Sequence, residues 1–327
     1  MSDIASIRAA RERLAPVVRE TPLLSSPFLD EIAGRRVYVK AECLQHTGSF
    51  KFRGGWSAVS ALPEAIRSRG VFAYSSGNHA QGVARAAALH GVPAVILMPK
   101  DAPALKIENT RALGAEVVLY DRMTESREDI GTRLAEERQL TLIRPYDDPM
   151  VIAGQGTAGL EIAEQAKPLG VEEADLLVCC GGGGLASGVA LACEAEAPGL
   201  RVRPCEPEGF DDVKRSLAAG SRQENALAGG SICDAIVTPS PGEMTFPILK
   251  RLAGPGLVVS DDEALQAVAL AAIRLKLILE PGGAVALASA LFRREDIAGD
   301  AVIAVATGGN IDAALHAEAL SRFGATA

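Results

Sequence analysis

At 327 residues, 48% of them hydrophobic, the chain can form one large domain or two interleaved ones and bury roughly 75% of its unfolded surface. Its net charge of −8 argues against a nucleic-acid partner, and no run approaches the ~20 apolar residues of a membrane helix. Six cysteines without paired spacing and four histidines without Cys-x-x-Cys or His-x-x-x-His argue against a disulfide framework or a zinc site, so a cytoplasmic enzyme is the expected class.

The first predicted element is an amphipathic helix with apolar residues at 4, 7 and 14, capped by Ser2; its charges separate it from a secretory signal. A strand over Val37–Lys40 follows, then a helical run behind Lys51. Next come strand Val71–Tyr74, helix Gln81–His90, strand Ala94–Met98, helix Pro103–Leu113, strand Glu116–Tyr120, helix Thr132–Arg138 and strand Leu140–Arg144. The alternation continues with helix Gly156–Gln165, strand Asp175–Cys180, helix Leu185–Ala195 and strand Arg201–Pro204. Strand Gly256–Val259, helices Asp262–Lys276 and Ala284–Phe292, and strand Ala301–Ala306 complete it. This pattern predicts an α/β fold of mostly parallel twisted sheets with helices on both faces. In such sheets the ligand lies beyond the carboxyl ends of the strands, where glycine clusters occur at 75–82, 154–156, 181–184 and 308–309. No linker or compositional boundary is visible, so a second domain is expected to be inserted, not appended.

Three segments carry chemistry. Lys51 lies between Phe50 and Phe52. Apolar surroundings lower an ammonium's pKa and make a neutral amine available for Schiff-base formation; a lysine packing its stem on two rings is the plainer reading. Ser75-Ser76-Gly77-Asn78-His79-Ala80-Gln81-Gly82 follows a strand, where a helix start offers N–H groups to a carboxylate. A well-capped turn is the alternative there, and His79 is read as an oriented or core histidine, not a base. Gly181-Gly182-Gly183-Gly184-Leu185 follows another strand and suits a phosphate. Gly181-x-Gly183-x-x-Ala186, with Glu206 beyond a later strand, also fits a loose dinucleotide fingerprint and an NAD-dependent dehydrogenase. That reading leaves Lys51 and the Ser-Ser-Gly-Asn-His loop unexplained.

As a set, Ser-Phe-Lys-Phe-Arg-Gly, Ser-Ser-Gly-Asn-His-Ala-Gln, Ala-Gly-Gln-Gly-Thr (153–157), Gly-Gly-Gly-Gly-Leu, Glu280-Pro-Gly-Gly and Thr307-Gly-Gly-Asn310 resemble the tryptophan-synthase-β-like, fold-type-II pyridoxal-phosphate enzymes. The serine/threonine dehydratase and serine racemase branch is the most similar. The resemblance runs through nearly the whole chain. It implies a large domain from 1–52 and 146–327, a small inserted domain at 53–145, no C-terminal regulatory domain, and a homodimer. It also implies that Lys51 holds pyridoxal 5'-phosphate, Phe50 covers the ring, and Asn78 lies beside the ring hydroxyl. Gly181, Gly182, Gly183, Gly184 and Leu185 would hold the phosphate, with the Thr307 hydroxyl at the ring nitrogen.

Ser75, Ser76, Asn78 and His79 would surround the substrate carboxylate. The implied reaction is α,β-elimination from threonine or serine, an ammonia-lyase activity with Lys51 as base at Cα; Ser76 makes serine racemase an alternative. Arg127 and Thr238 match positions that approach a second carboxylate, which makes 3-hydroxyaspartate a further candidate substrate. Against that, Ser126-x-x-Asp129 resembles a capping box that would leave Arg127 solvated. Glu206, Asp212 and the Phe210 carbonyl resemble a site for Mg2+ or another hard divalent cation; an acidic surface loop is the plainer reading.

Overall fold

Ala174–Cys179 and Ala301–Val305 are buried at every position, as strands covered on both faces must be. They lie side by side in the computed structural model, which describes residues 2–102, 104–121, 123–227 and 229–325. Along the chain the strands are β1 (Leu23–Ser25), β2 (Arg36–Lys40), β3 (Val71–Tyr74), β4 (Ala94–Pro99) and β5 (Glu116–Tyr120). They continue as β6 (Thr141–Leu142), β7 (Ala174–Cys179), β8 (Leu200–Pro207), β9 (Leu257–Val259) and β10 (Ala301–Val305). Among the described residues they form a six-stranded sheet, β1-β2-β10-β7-β8-β9, and a four-stranded sheet, β5-β4-β3-β6. Of these strand pairs only β1 against β2 is antiparallel.

Alternation along the central strands produces two cores. Leu177, Cys179, Val302 and Ala304 face the helices Asp261–Leu270 and Pro281–Phe292. Leu176, Val178, Ile303 and Val305 face Pro149–Ala166 and Gly184–Glu196. The expected α/β class with helices on both faces is therefore the one observed. No helix among the described residues is long and apolar enough to cross a membrane.

Several boundaries differ from expectation. Asp3, not Ser2, caps the first helix and forms a capping box with Ser6; the Ser2 hydroxyl instead donates to the Pro149 carbonyl at 3.1 Å. The strand expected at 140–144 stops at Leu142, because the carbonyls beyond it are used by side chains of the site. The helix expected over 262–276 loses its α pattern after Leu270, passes through a π turn at Ala271–Leu275, and stops where Lys276 adopts φ +61°. Pro103 lies outside the described residues; the helix expected there runs Ala104–Ala112. Strand β1 and the helices Pro27–Ala33, Asp212–Ala219, Thr245–Leu252 and Ala313–Phe323 were not expected; β1 spans only three residues and is held by its pairing with β2.

The helix Lys51–Ala61 is pinned from behind by a buried ionic cluster. Arg53, fully enclosed, donates to Glu42 through Nε and Nη2 at 2.8 and 2.7 Å, and to Glu161 through Nη1 and Nη2 at 2.6 and 2.8 Å. Lys40 adds a bond to Glu161 at 2.6 Å. Burial pushes the Glu42 carboxyl up, but the Arg53 guanidinium overrides it and holds Glu42 below its ordinary value. Farther along the helix, the Trp56 indole donates to the Arg13 carbonyl at 2.8 Å and stacks on His90 at 4.2 Å.

Candidate active site

A cavity of about 430 Å³ opens where the two sheets present their carboxyl ends. β3 leads into Ser75–Asn78, β7 into the glycine loop and β10 into Thr307, and all of these line it. Lys51 enters from the first turn of its helix; Phe50 N donates to the Thr307 carbonyl at 3.2 Å, which ties the lysine's base to the end of β10. The Lys51 amine donates to the Pro145 carbonyl at 2.9 Å and lies 5.1 Å from the Phe50 ring centre. Desolvation lowers it from 10.5 to about 8, with the Glu280 carboxylate resisting the shift.

The opposite wall is the glycine loop. Gly183 adopts φ +90°, and a side chain at Gly182 would collide with the Tyr146 ring. The helix starting at Gly184 turns its first N–H groups toward the loop. Ser75 Oγ accepts from Gly77 N at 3.2 Å just before the helix Asn78–His90 begins. Asn78 donates to Glu280 and accepts from Asn310, so its amide is held on both sides. Burial raises the Glu280 carboxyl to about 7, opposed by the Asn78 bond. His79 is bonded through Nε2 to the Ile143 carbonyl at 2.8 Å, and burial together with the Lys51 charge drives it down to about 3. It is a neutral, oriented ring, unsuited to proton transfer at neutral pH.

Arg127 is about half exposed, at the start of a capped helix. Ser126 caps its helix by accepting from Asp129 N at 3.1 Å, and Arg127 pairs with Glu128. Yet its guanidinium lies 5.1 Å over the Tyr74 ring and lines the cavity, as Thr238 also does. Glu206, Phe210 and Asp212 lie outside this wall. All three are buried, while Glu208 and Gly209 between them are exposed. Among the described residues no group of three or more His, Cys, Asp or Glu side chains is placed to hold a metal.

Pro145, Tyr146 and Gln155 also line the cavity, and sequence reasoning assigned them no role. The signal for Pro145 and Tyr146 was the Pro-Tyr-Asp-Asp-Pro segment directly behind a strand, and for Gln155 the Ala-Gly-Gln-Gly-Thr run at 153–157. Lys106 and Asp234, which also line the cavity, pair at 3.1 Å and were likewise missed.

The wall suits an anionic aldehyde. Three buried atoms in residues that line the cavity have no hydrogen-bond partner: the Thr238 hydroxyl can donate to an anionic group, while Gln155 Oε1 and His79 Nδ1 are acceptors for a ligand's O–H or N–H. A low-pKa amine faces a loop that admits no side chain. Residues 14–308 match the family model described as pyridoxal-phosphate dependent enzyme. The chain belongs to that family. It is 43% identical over 320 residues to the L-threo-3-hydroxyaspartate ammonia-lyase of a Pseudomonas species, covering 98% of this chain and 99% of that one. It is 39% identical over 320 residues to the serine racemase of Schizosaccharomyces pombe, covering 98% and 97%. The solved threonine deaminase of T.th. superposes with a TM-score of 0.89 at 44% identity, covering 95% and 99%. The fold is thus that of the fold-type-II pyridoxal-phosphate enzymes, within the ammonia-lyase and racemase branch. The dinucleotide reading of Gly181–Ala186 is set aside by this family match.

Proposed function

We propose that the protein is an ammonia-lyase that eliminates the hydroxyl of a 3-hydroxy amino acid as water, the resulting enamine then tautomerising to an imine that water hydrolyses to a 2-oxo acid and ammonia, with L-threo-3-hydroxyaspartate preferred over threonine and serine. The observation that carries the preference is Arg127: a guanidinium in the cavity wall, held over Tyr74, suits a second carboxylate and has no use for a methyl or hydrogen. The names of relatives such as the Pseudomonas lyase support the same reading. The four-stranded sheet, built between residues 71 and 142, supports treating 53–145 as an inserted domain that brings Ser75–His79 and Arg127 to the lysine.

Pyridoxal phosphate, when bound, supplies the aldehyde that captures the substrate amine and the ring that withdraws electrons from Cα. Lys51 Nζ takes the Cα proton, a role matched to an amine of pKa about 8. Ser75, Ser76 and the N–H groups opening the helix Asn78–His90 orient the α-carboxylate. The Thr307 hydroxyl would offer the ring nitrogen a neutral partner, and the glycine loop with the following helix start would hold the phosphate. Ser76 in the wall, with serine racemase among the relatives, supports proton return at Cα as a second activity.

We further propose a hard divalent cation at Glu206 and Asp212, with the Phe210 carbonyl. The Glu206 oxygens accept from Val213 N and Lys214 N, both at 2.8 Å, and Asp212 Oδ2 is buried without a partner. Burial and the Asp212 charge push Glu206 well up; burial raises Asp212 to about 6. Two carboxylates so disfavoured as anions fit a cation between them.

Arg127→Ala tests the substrate assignment. Loss of a charge-assisted contact of about 1.5–3 kcal/mol should lower kcat/KM for 3-hydroxyaspartate roughly 10- to 150-fold and leave serine within about 3-fold. Unchanged hydroxyaspartate turnover would end the assignment.

A further inference from the structure

The cavity's two anchor points, the Lys51 amine and the glycine loop, come from distant parts of the chain, and one short segment reaches both. Pro145 supplies the carbonyl that accepts from Lys51 Nζ at 2.9 Å. The ring of Tyr146 lies against Gly182. Asp148 caps the helix Pro149–Ala166, accepting from Met150 N and Val151 N at 2.7 and 3.1 Å. Between them, Asp147 turns away toward a different element: Oδ1 accepts from Met244 N at 2.8 Å and Oδ2 from Glu243 N at 3.1 Å.

The turn so gripped holds the cradle. Gly242 N donates to the Gly182 carbonyl at 3.1 Å, and Thr245 Oγ1 donates to the same oxygen at 2.6 Å. A continuous path therefore runs from the amine through Pro145 to Asp147, across two backbone N–H groups, through Gly242 and Thr245, and into Gly182. Gly242 fits because a side chain there would collide with the Asp147 carboxylate.

We propose that Asp147 is a positioning residue that fixes the distance between the Lys51 amine and the phosphate cradle. It is not among the residues that line the cavity. It acts by locking the segment that orients the amine to the turn that orients Gly182. A ligand bound at both ends at once depends on that spacing, whereas a ligand using one end does not. A carboxylate that merely caps the helix Thr245–Leu252 would support stability without this distinction.

The test uses the full chain with cofactor removed, as Asp147→Ala and as Asp147→Asn, which is near in shape and keeps one acceptor. Dissociation constants are measured for pyridoxal phosphate, for pyridoxal without the phosphate, and for inorganic phosphate by competition. Asp147→Ala should weaken pyridoxal phosphate at least 10-fold, about 1.4 kcal/mol, with pyridoxal and phosphate alone each shifting less than 2-fold. Asp147→Asn should fall between it and the parent, and decides on the same criteria if the alanine variant fails to fold. A pyridoxal phosphate constant within 2-fold of the parent, with only the unfolding temperature lowered, overturns the proposal in favour of a simple cap. Phosphate weakened as much as pyridoxal phosphate overturns it as well, because the carboxylate would then be building the cradle and not setting a distance.

Discussion

Replacing Arg53 by methionine removes four short bonds to Glu42 and Glu161 and leaves Lys40 as the cation facing two enclosed carboxylates. Breaking a buried pair in this way costs about 3–5 kcal/mol, because the stranded charge is desolvated and unpaired. With an unfolding entropy of about 2.1 cal/mol/K per residue, a chain of 327 residues changes by roughly 0.7 kcal/mol per kelvin, so Tm should fall by ~4–7 °C. Adding Glu42→Gln restores neutrality, since Lys40 and Glu161 remain paired at 2.6 Å. The double variant should therefore recover most of the loss. Thermal unfolding of cofactor-free protein, followed by circular dichroism, measures both. Glu42 is held below its ordinary 4.5, so the stability it contributes is present above that pH and disappears as pH falls through the folded value. The gap between parent and Arg53→Met should accordingly narrow in acid. A double variant no more stable than the single one would refute the reasoning, since uncompensated charge would then not be the cause.

Lys51 in the cofactor-free protein should acylate with a midpoint near pH 8, not 10.5. At pH 7 about 9% of the amine is then neutral, roughly 300-fold more than for an ordinary lysine. Glu280→Gln should lower the midpoint further, because that carboxylate holds the amine up; no movement would remove Glu280 from the account. Gly182→Ala forces a methyl into the Tyr146 ring, an overpacking of about 1–3 kcal/mol that should weaken cofactor binding. Tyr146→Ala in the same chain should recover part of it, and additive effects in a binding titration would count against the clash. Magnesium should raise Tm in the parent but not in Asp212→Asn. Because Asp212 is raised to about 6, the metal-free protein loses stability as pH rises from 3.8 through that value, and the magnesium effect should be larger at pH 8 than at pH 5. A magnesium-insensitive melting curve at both pH values would dismiss the cation.

Much of the architecture was visible because the central strands are apolar apart from Asp175 and each is followed by an alanine-rich helix. Lys51, Ser75–His79 and the glycine loop declared themselves by occupying strand-to-helix junctions, and the cavity brings them together. The short helices Asp212–Ala219 and Thr245–Leu252 did not: each is amphipathic but spans only 8 residues, less than the window over which a helical period is recognised. Pro145 was invisible for another reason: it acts through a backbone carbonyl, which no side-chain pattern encodes. Arg127 shows a third limit. Its capping context and its place in the wall are both real, and spacing alone reports only the first.

Trp56, the chain's single tryptophan, stands five positions past Lys51 on the same helix, wedged between Arg13 and His90. The molecule thus carries a built-in optical sensor beside its reactive amine. Emission from one indole can report loading with a yellow chromophore through energy transfer, and any tilt of that helix through a spectral shift, without a label or an added dye.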